Sequence, residues 1–158
     1  MKHLSKKISC IALVVVLLIT ALSFTACQDG KNLQSFYNKV VESQKHLDTV
    51  ADDIYSYWYD AIYEDAYYGS INIAIATALS DNSDILKKIE SNDPIIQSLY
   101  KEVRDSKYSE KVQAVMSAYS DYYELVVNVS GSFNTYSANK EAMKKELASA
   151  LRNLALEL

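Results

Sequence analysis

Glycine and proline are nearly missing from this sequence, with three glycines and one proline among 158 residues. A β-sandwich of that length needs many more turn residues, so their scarcity excludes one and points to helices. Histidine is just as sparse. His46 is the only one beyond residue 3, which removes both a multi-histidine zinc site and a His-x-x-x-His helix pair. Three isolated glycines cannot make a phosphate-cradling loop, and no local sequence supports a Ser-His-Asp order. The polar stretch 81–84 lacks the glycine of a calcium-binding EF-hand loop. These absences predict a protein that is not an enzyme, with no cofactor and no metal. Lys and Arg are missing from one long region: His46 to Leu86 holds eight acidic residues and no basic one.

What is present begins at the N-terminus. Lys2, His3, Lys6 and Lys7 precede the apolar run Ile8 to Phe24, the pattern of a secretory signal peptide. Hydrophobicity then collapses at Ala26 and Cys27 into Gln28, Asp29, Gly30, Lys31 and Asn32. Phe24, Thr25, Ala26 and Cys27 resemble the lipobox of bacterial lipoproteins, with Phe24 standing where leucine is usual. The resemblance covers about 27 residues. It implies that Cys27 receives a diacylglycerol thioether and becomes the first mature residue. The expected division is a cleaved lipoprotein signal peptide over 1–26, a lipidated tether over 27–32 and a single helical domain over 33–158. Localisation follows as the extracytoplasmic face of a bacterial cell membrane, with the membrane itself as first partner. Cys10 would leave with the signal, so the exported part has no thiol left for a disulfide and relies on its core.

Residues 27–158 are 132 in number, enough for one domain. Over 31–67, Leu33, Tyr37, Val40, Leu47, Ala51, Ile54, Trp58, Ala61 and Tyr68 follow a three-four spacing, with Gln44 and Asp65 in the skipped turns. A second segment runs from Ser70 to Ser91. Its alternating Ile and Ala also read as a strand, and 80–84 reads either as a loop or as a polar helix face. Asp93 and Pro94 read as an N-cap followed by proline at the first helical position. After a split at Ser106 to Ser109, Ser109 caps a new helix and Glu110 sits in its first turn. Gly131 marks a turn, and a last helix starts near Ser137, with Glu141 and Lys145 spaced as an exposed pair. The predicted fold is all-α: an antiparallel up-down bundle of about four to five helices with a long first helix.

Beyond the signal, 13 basic residues stand against 20 acidic ones, a net of about −7. Nucleic acid is therefore no partner, since binding it needs a basic face. The acidic region also carries Tyr55, Tyr57, Trp58, Tyr59, Tyr63, Tyr67 and Tyr68. Tyr55, Tyr59, Tyr63 and Tyr67 are spaced as one i,i+4 stripe bordered by Asp52, Asp60 and Glu64. Such a stripe either buries a second face of a central helix or stands exposed as a binding ridge for a protein or a cell-wall glycan. Asp48 with Asp52, and Asp60 with Glu64, share helix faces, a spacing compatible with a hard cation such as calcium or with glycoside hydrolysis. Solvated helix surfaces carry such pairs routinely, which is the reading adopted. The sequence thus points to a small anchored helical interaction module acting through its acidic, tyrosine-rich face. The alternative is a phage or conjugation exclusion lipoprotein of the immunity type, which rests on size and anchoring alone.

Overall fold

The buried positions of the first helix set the architecture. In the computed structural model, which describes residues 30–158, α1 (Lys2–Tyr63) has its side chains described from Gly30 onward. The signal segment and the Cys27 anchor lie outside the described residues. Along α1, Leu33, Phe36, Val40, Ser43, Leu47, Val50, Ala51, Ile54, Trp58 and Ala61 are buried. Their three-four alternation is the seam of a bundle helix, and each large apolar member contributes about 1.5–3 kcal/mol on burial. Phe36 and Ser43 hold the places expected of Tyr37 and Gln44, one residue earlier. Tyr37 only packs against the seam from outside.

Four further helices surround it: α2 (Ile71–Asp81), α3 (Ser83–Val103), α4 (Ser109–Val127) and α5 (Phe133–Ala155). All four touch α1. Polar contacts give the register. Asn82 reaches Asp53 and Asn92 reaches Glu42, so α2 and α3 descend antiparallel to α1. Tyr136 reaches the Ala51 carbonyl and Lys144 lies by Asp48, so α5 descends as well. Lys111 pairs with Glu157 where α4 begins and the chain after α5 ends. The result is an all-α up-down bundle with no strand among the described residues.

The helix boundaries depart from expectation in four places. α2 buries Ala74 and Ala78 and leaves Ile71 and Ile73 outside, so its small residues set the close approach and the strand reading falls. Between α2 and α3 the chain breaks at one residue, buried Asn82, whose side chain donates to the Ala78 carbonyl at 3.0 Å and to Asp53 at 2.8 Å. Pro94 does not start a helix; α3 runs through it. Ile89, Asn92, Ile96 and Val103 form one buried face on both sides of the proline, and that packing outweighs a local cost of about 3 kcal/mol. Asp93 instead accepts the Tyr119 hydroxyl at 3.3 Å. Ser109 is the first residue of α4 and caps nothing; Tyr108 holds the cap position, and Ser106 accepts the Tyr108 N–H. α5 begins at Phe133, four residues ahead of Ser137, because Ser132 accepts the Thr135 N–H at 3.2 Å. Glu141 meets Lys140 at 3.2 Å rather than Lys145.

Candidate functional site

The expected tyrosine stripe parts into three environments. Tyr55, lowest on α1, is half-buried, with its ring centroid 5.2 Å from that of Phe133 in a stacked pair. Tyr59 and Tyr63 stand further out, 40% and 58% exposed, their rings 4.6 Å apart. Phe133 sits among them, within 6.2 Å of both and 6.0 Å from Trp58. No periodic signal marked Phe133, because it opens a helix expected to start later. The stripe reading was therefore half core and half surface.

Tyr67 leaves the stripe altogether. α1 ends at Tyr63, and Asp65, Tyr67, Tyr68 and Gly69 all take left-handed backbone angles, with φ of 53°, 54°, 57° and 69°. That reversal carries Tyr67 onto Tyr57, stacked at 5.3 Å. The Tyr57 hydroxyl donates to Asp81 at 3.0 Å, which pushes its pKa up, with burial adding to the effect. Tyr68, placed in the buried seam by its spacing, is 96% exposed. Ser70 closes the turn by capping α2, accepting the Ile73 N–H.

The acidic border likewise divides. Asp52 belongs to an internal network: Lys140 of α5, only 6% exposed, lies 2.6 Å from its Oδ1 and 4.6 Å over the Tyr55 ring. Lys144 adds a second cation at 3.3 Å from Asp52 and 3.5 Å from Asp48. Asp48 also accepts the Tyr122 hydroxyl at 2.8 Å. Burial works against the charge on Asp52, but Lys140 and Lys144 outweigh it and hold the carboxyl below its ordinary value. Lys140 is in turn held above the ordinary ammonium value: burial opposes this, and Asp52 and Glu141 overcome it. The Tyr122 hydroxyl is pushed up by burial and by its bond to Asp48. The first carboxylate pair is thus occupied by the protein's own cations. Asp60 and Glu64 have no ion-pair partner among the described residues.

The end of the bundle that holds α1's C-terminus, the left-handed turn and the start of α5 therefore combines bare tyrosine with unpaired acid. Residues 53–82 and 124–139 meet there, and neither stretch contains a lysine or arginine. They carry six carboxylates: Asp53, Asp60, Glu64, Asp65, Asp81 and Glu124. Beside the ridge lies a cleft of about 460 Å³ lined by Trp58, Ile62, Gly69, Ile71, Gly131 and Phe133. Phe133 is shared by ridge and cleft. Another cleft, of about 330 Å³, lies at the opposite end between Leu33, Ser106, Tyr108 and Leu158.

Among the described residues no group of three metal-ligating side chains is close enough to hold an ion, and no helix is long and apolar enough to cross a membrane. No family model matches the chain, and no curated protein or solved structure matches it either.

Proposed function

We propose that this chain is a lipid-anchored extracytoplasmic binding module that engages its partner through the tyrosine-rich acidic end of the bundle. One observation carries this reading: Tyr59 and Tyr63 stand exposed with their rings 4.6 Å apart, Ile62 and Ile71 line the cleft that shares Phe133 with them, and Asp60 and Glu64 on the same stretch have no ion-pair partner among the described residues. Contiguous exposed aromatic and apolar area on a small domain is the mark of an interaction surface. Tyrosine brings large contact area at low entropy cost. The lipobox-like segment ends at Cys27, and α1 rises from residue 30 to Tyr63 over about 50 Å at 1.5 Å per residue. Anchored there, the domain holds the ridge well above the membrane. The partner is a protein or a cell-wall glycan, and the negative charge of the domain excludes nucleic acid.

The test is a photo-crosslinking amino acid placed in the full chain inside cells, at Tyr63 in one variant and at Glu102, near the opposite end, in another. Adducts of defined mass from position 63 and none from position 102 are expected. Adducts from neither position, or equally from both, remove the reading.

A further inference from the structure

The internal Lys140 site shows what the tyrosine and carboxylate chemistry of α1 holds. Asp52 and Tyr55, spaced i,i+3, grip one ammonium group between them, 2.6 Å from the carboxylate and 4.6 Å from the ring centre. Two turns further along, Asp60 and Tyr63 repeat that spacing, with Tyr59 beside them. No lysine or arginine lies in either stretch of chain that builds this end. The ridge thus repeats a cation site with the cation missing from the described residues.

We propose that the ridge binds an arginine- or lysine-bearing polypeptide segment, laying the cationic side chain on Tyr59 and Tyr63 against Asp60 and Glu64 and an adjacent apolar side chain in the Trp58–Phe133 cleft. The proposal rests on the binding-module reading and names its partner class. Charge complementarity selects the occupant: Asp60 and Glu64 have no ion-pair partner among the described residues, and Lys140 beside Tyr55 is already taken up by Asp52 and Glu141, so the ridge attracts positive charge and repels acidic chains. A cation over a tyrosine face gains most where it is partly desolvated, and arginine adds planar stacking and paired hydrogen bonds to carboxylate. The cleft then selects against a lone ion, because Ile62, Ile71 and Phe133 offer apolar walls that only a larger ligand fills. A neutral glycan uses the aromatic faces and leaves the carboxylates unpaired, so it is the less complementary occupant.

The experiment is calorimetric titration of the full chain, purified in detergent, with the peptide acetyl-Gly-Arg-Leu-Arg-Leu-Gly-amide. Comparators are the same peptide with glutamate in place of arginine and a tetramer of N-acetylglucosamine. Trp58, the only tryptophan in the chain, gives an independent fluorescence signal from the cleft. Saturable binding of the arginine peptide is expected, weakened by salt and absent for the glutamate peptide. Tyr59→Ala with Tyr63→Ala should weaken it about tenfold or more, and so should Asp60→Asn with Glu64→Gln. These residues are exposed enough that both variants keep the helical circular dichroism of the parent. Glu102→Gln with Asp105→Asn, near the opposite end, should leave the affinity unchanged. Equal loss in that control means diffuse attraction to an acidic protein and overturns the proposal, as does failure of the arginine peptide to saturate. Binding of the sugar tetramer without the peptide overturns the cationic partner but keeps the binding module. Crosslinking failure at position 63 removes the module itself.

Discussion

Lys140 is the residue on which the charged interior turns. Its ammonium lies over the Tyr55 ring and meets Asp52, so one side chain joins α5 to α1 by a cation–π contact and by charge. Asp52 has a lowered folded pKa, so its contribution is complete above the ordinary carboxylate value near ~4 and is lost as pH falls through the lower folded value. Lys140 has a raised folded pKa, so its contribution is complete below the ordinary ammonium value near ~10.4 and fades as pH rises through the higher folded value. Lys140→Met keeps the stem and removes the charge. It should lower stability by about 1 kcal/mol at neutral pH, a modest figure because the Asp52 side chain is half exposed and retains Lys144. Urea unfolding across pH checks this, and the gap between parent and variant should close in acid once Asp52 is protonated. The acidic run was plain in the sequence, but which carboxylates were already spoken for was not. Lys140 stands 88 residues from Asp52, and no local pattern joins them.

At the scale of the element, the left-handed turn after α1 decides where the aromatics go. Asp65, Tyr67 and Tyr68 sit in a conformation that costs a bulky L-residue about 1–2 kcal/mol, and tyrosine there is uncommon. Tyr68 is almost wholly exposed, so its ring has little packing to lose. Tyr68→Gly should therefore raise stability by about 0.5–1 kcal/mol, read as a higher urea midpoint with unchanged slope. Gly69→Ala should lower it by about 1 kcal/mol, because φ is +69° and an added Cβ meets Asp65 Oδ1 at 3.3 Å. Backbone strain held in an exposed loop is the kind retained where a surface is used. The three-four spacing of α1 was legible up to Trp58 and Ala61. Beyond that the spacing continued on paper through Tyr67 and Tyr68, while the chain had already turned. Pro94 failed as a start signal because a cap contributes about 1 kcal/mol and a continuous buried face several times that. Ser109, by contrast, did mark the start of α4, one position inside the cap held by Tyr108.

For the whole molecule, the domain has two unlike ends. One end carries the chain toward Cys27, and the other carries the tyrosine ridge and its carboxylates. If the anchor is as proposed, Cys27→Ser should shift the protein from the membrane to the soluble envelope fraction and abolish labelling by a palmitate analogue, with the bundle's thermal melt unchanged. Retention in the membrane would remove the lipid anchor from the proposal. By itself the sequence determined the helical class, through the scarcity of turn residues and a three-four seam. It also determined the acidic balance and the segment that ends at Cys27. These are local or summed properties, and reading them requires no knowledge of which residues meet. Only the tertiary structure decided that Tyr55 is held by Phe133 and Lys140 while Tyr59 and Tyr63, packed on each other and on Phe133, keep an exposed face. It alone showed that Tyr67 turns to Tyr57 and that two stretches without lysine or arginine converge at one end. Exposure and charge neutralisation depend on partners distant in sequence, and helix periodicity does not record them.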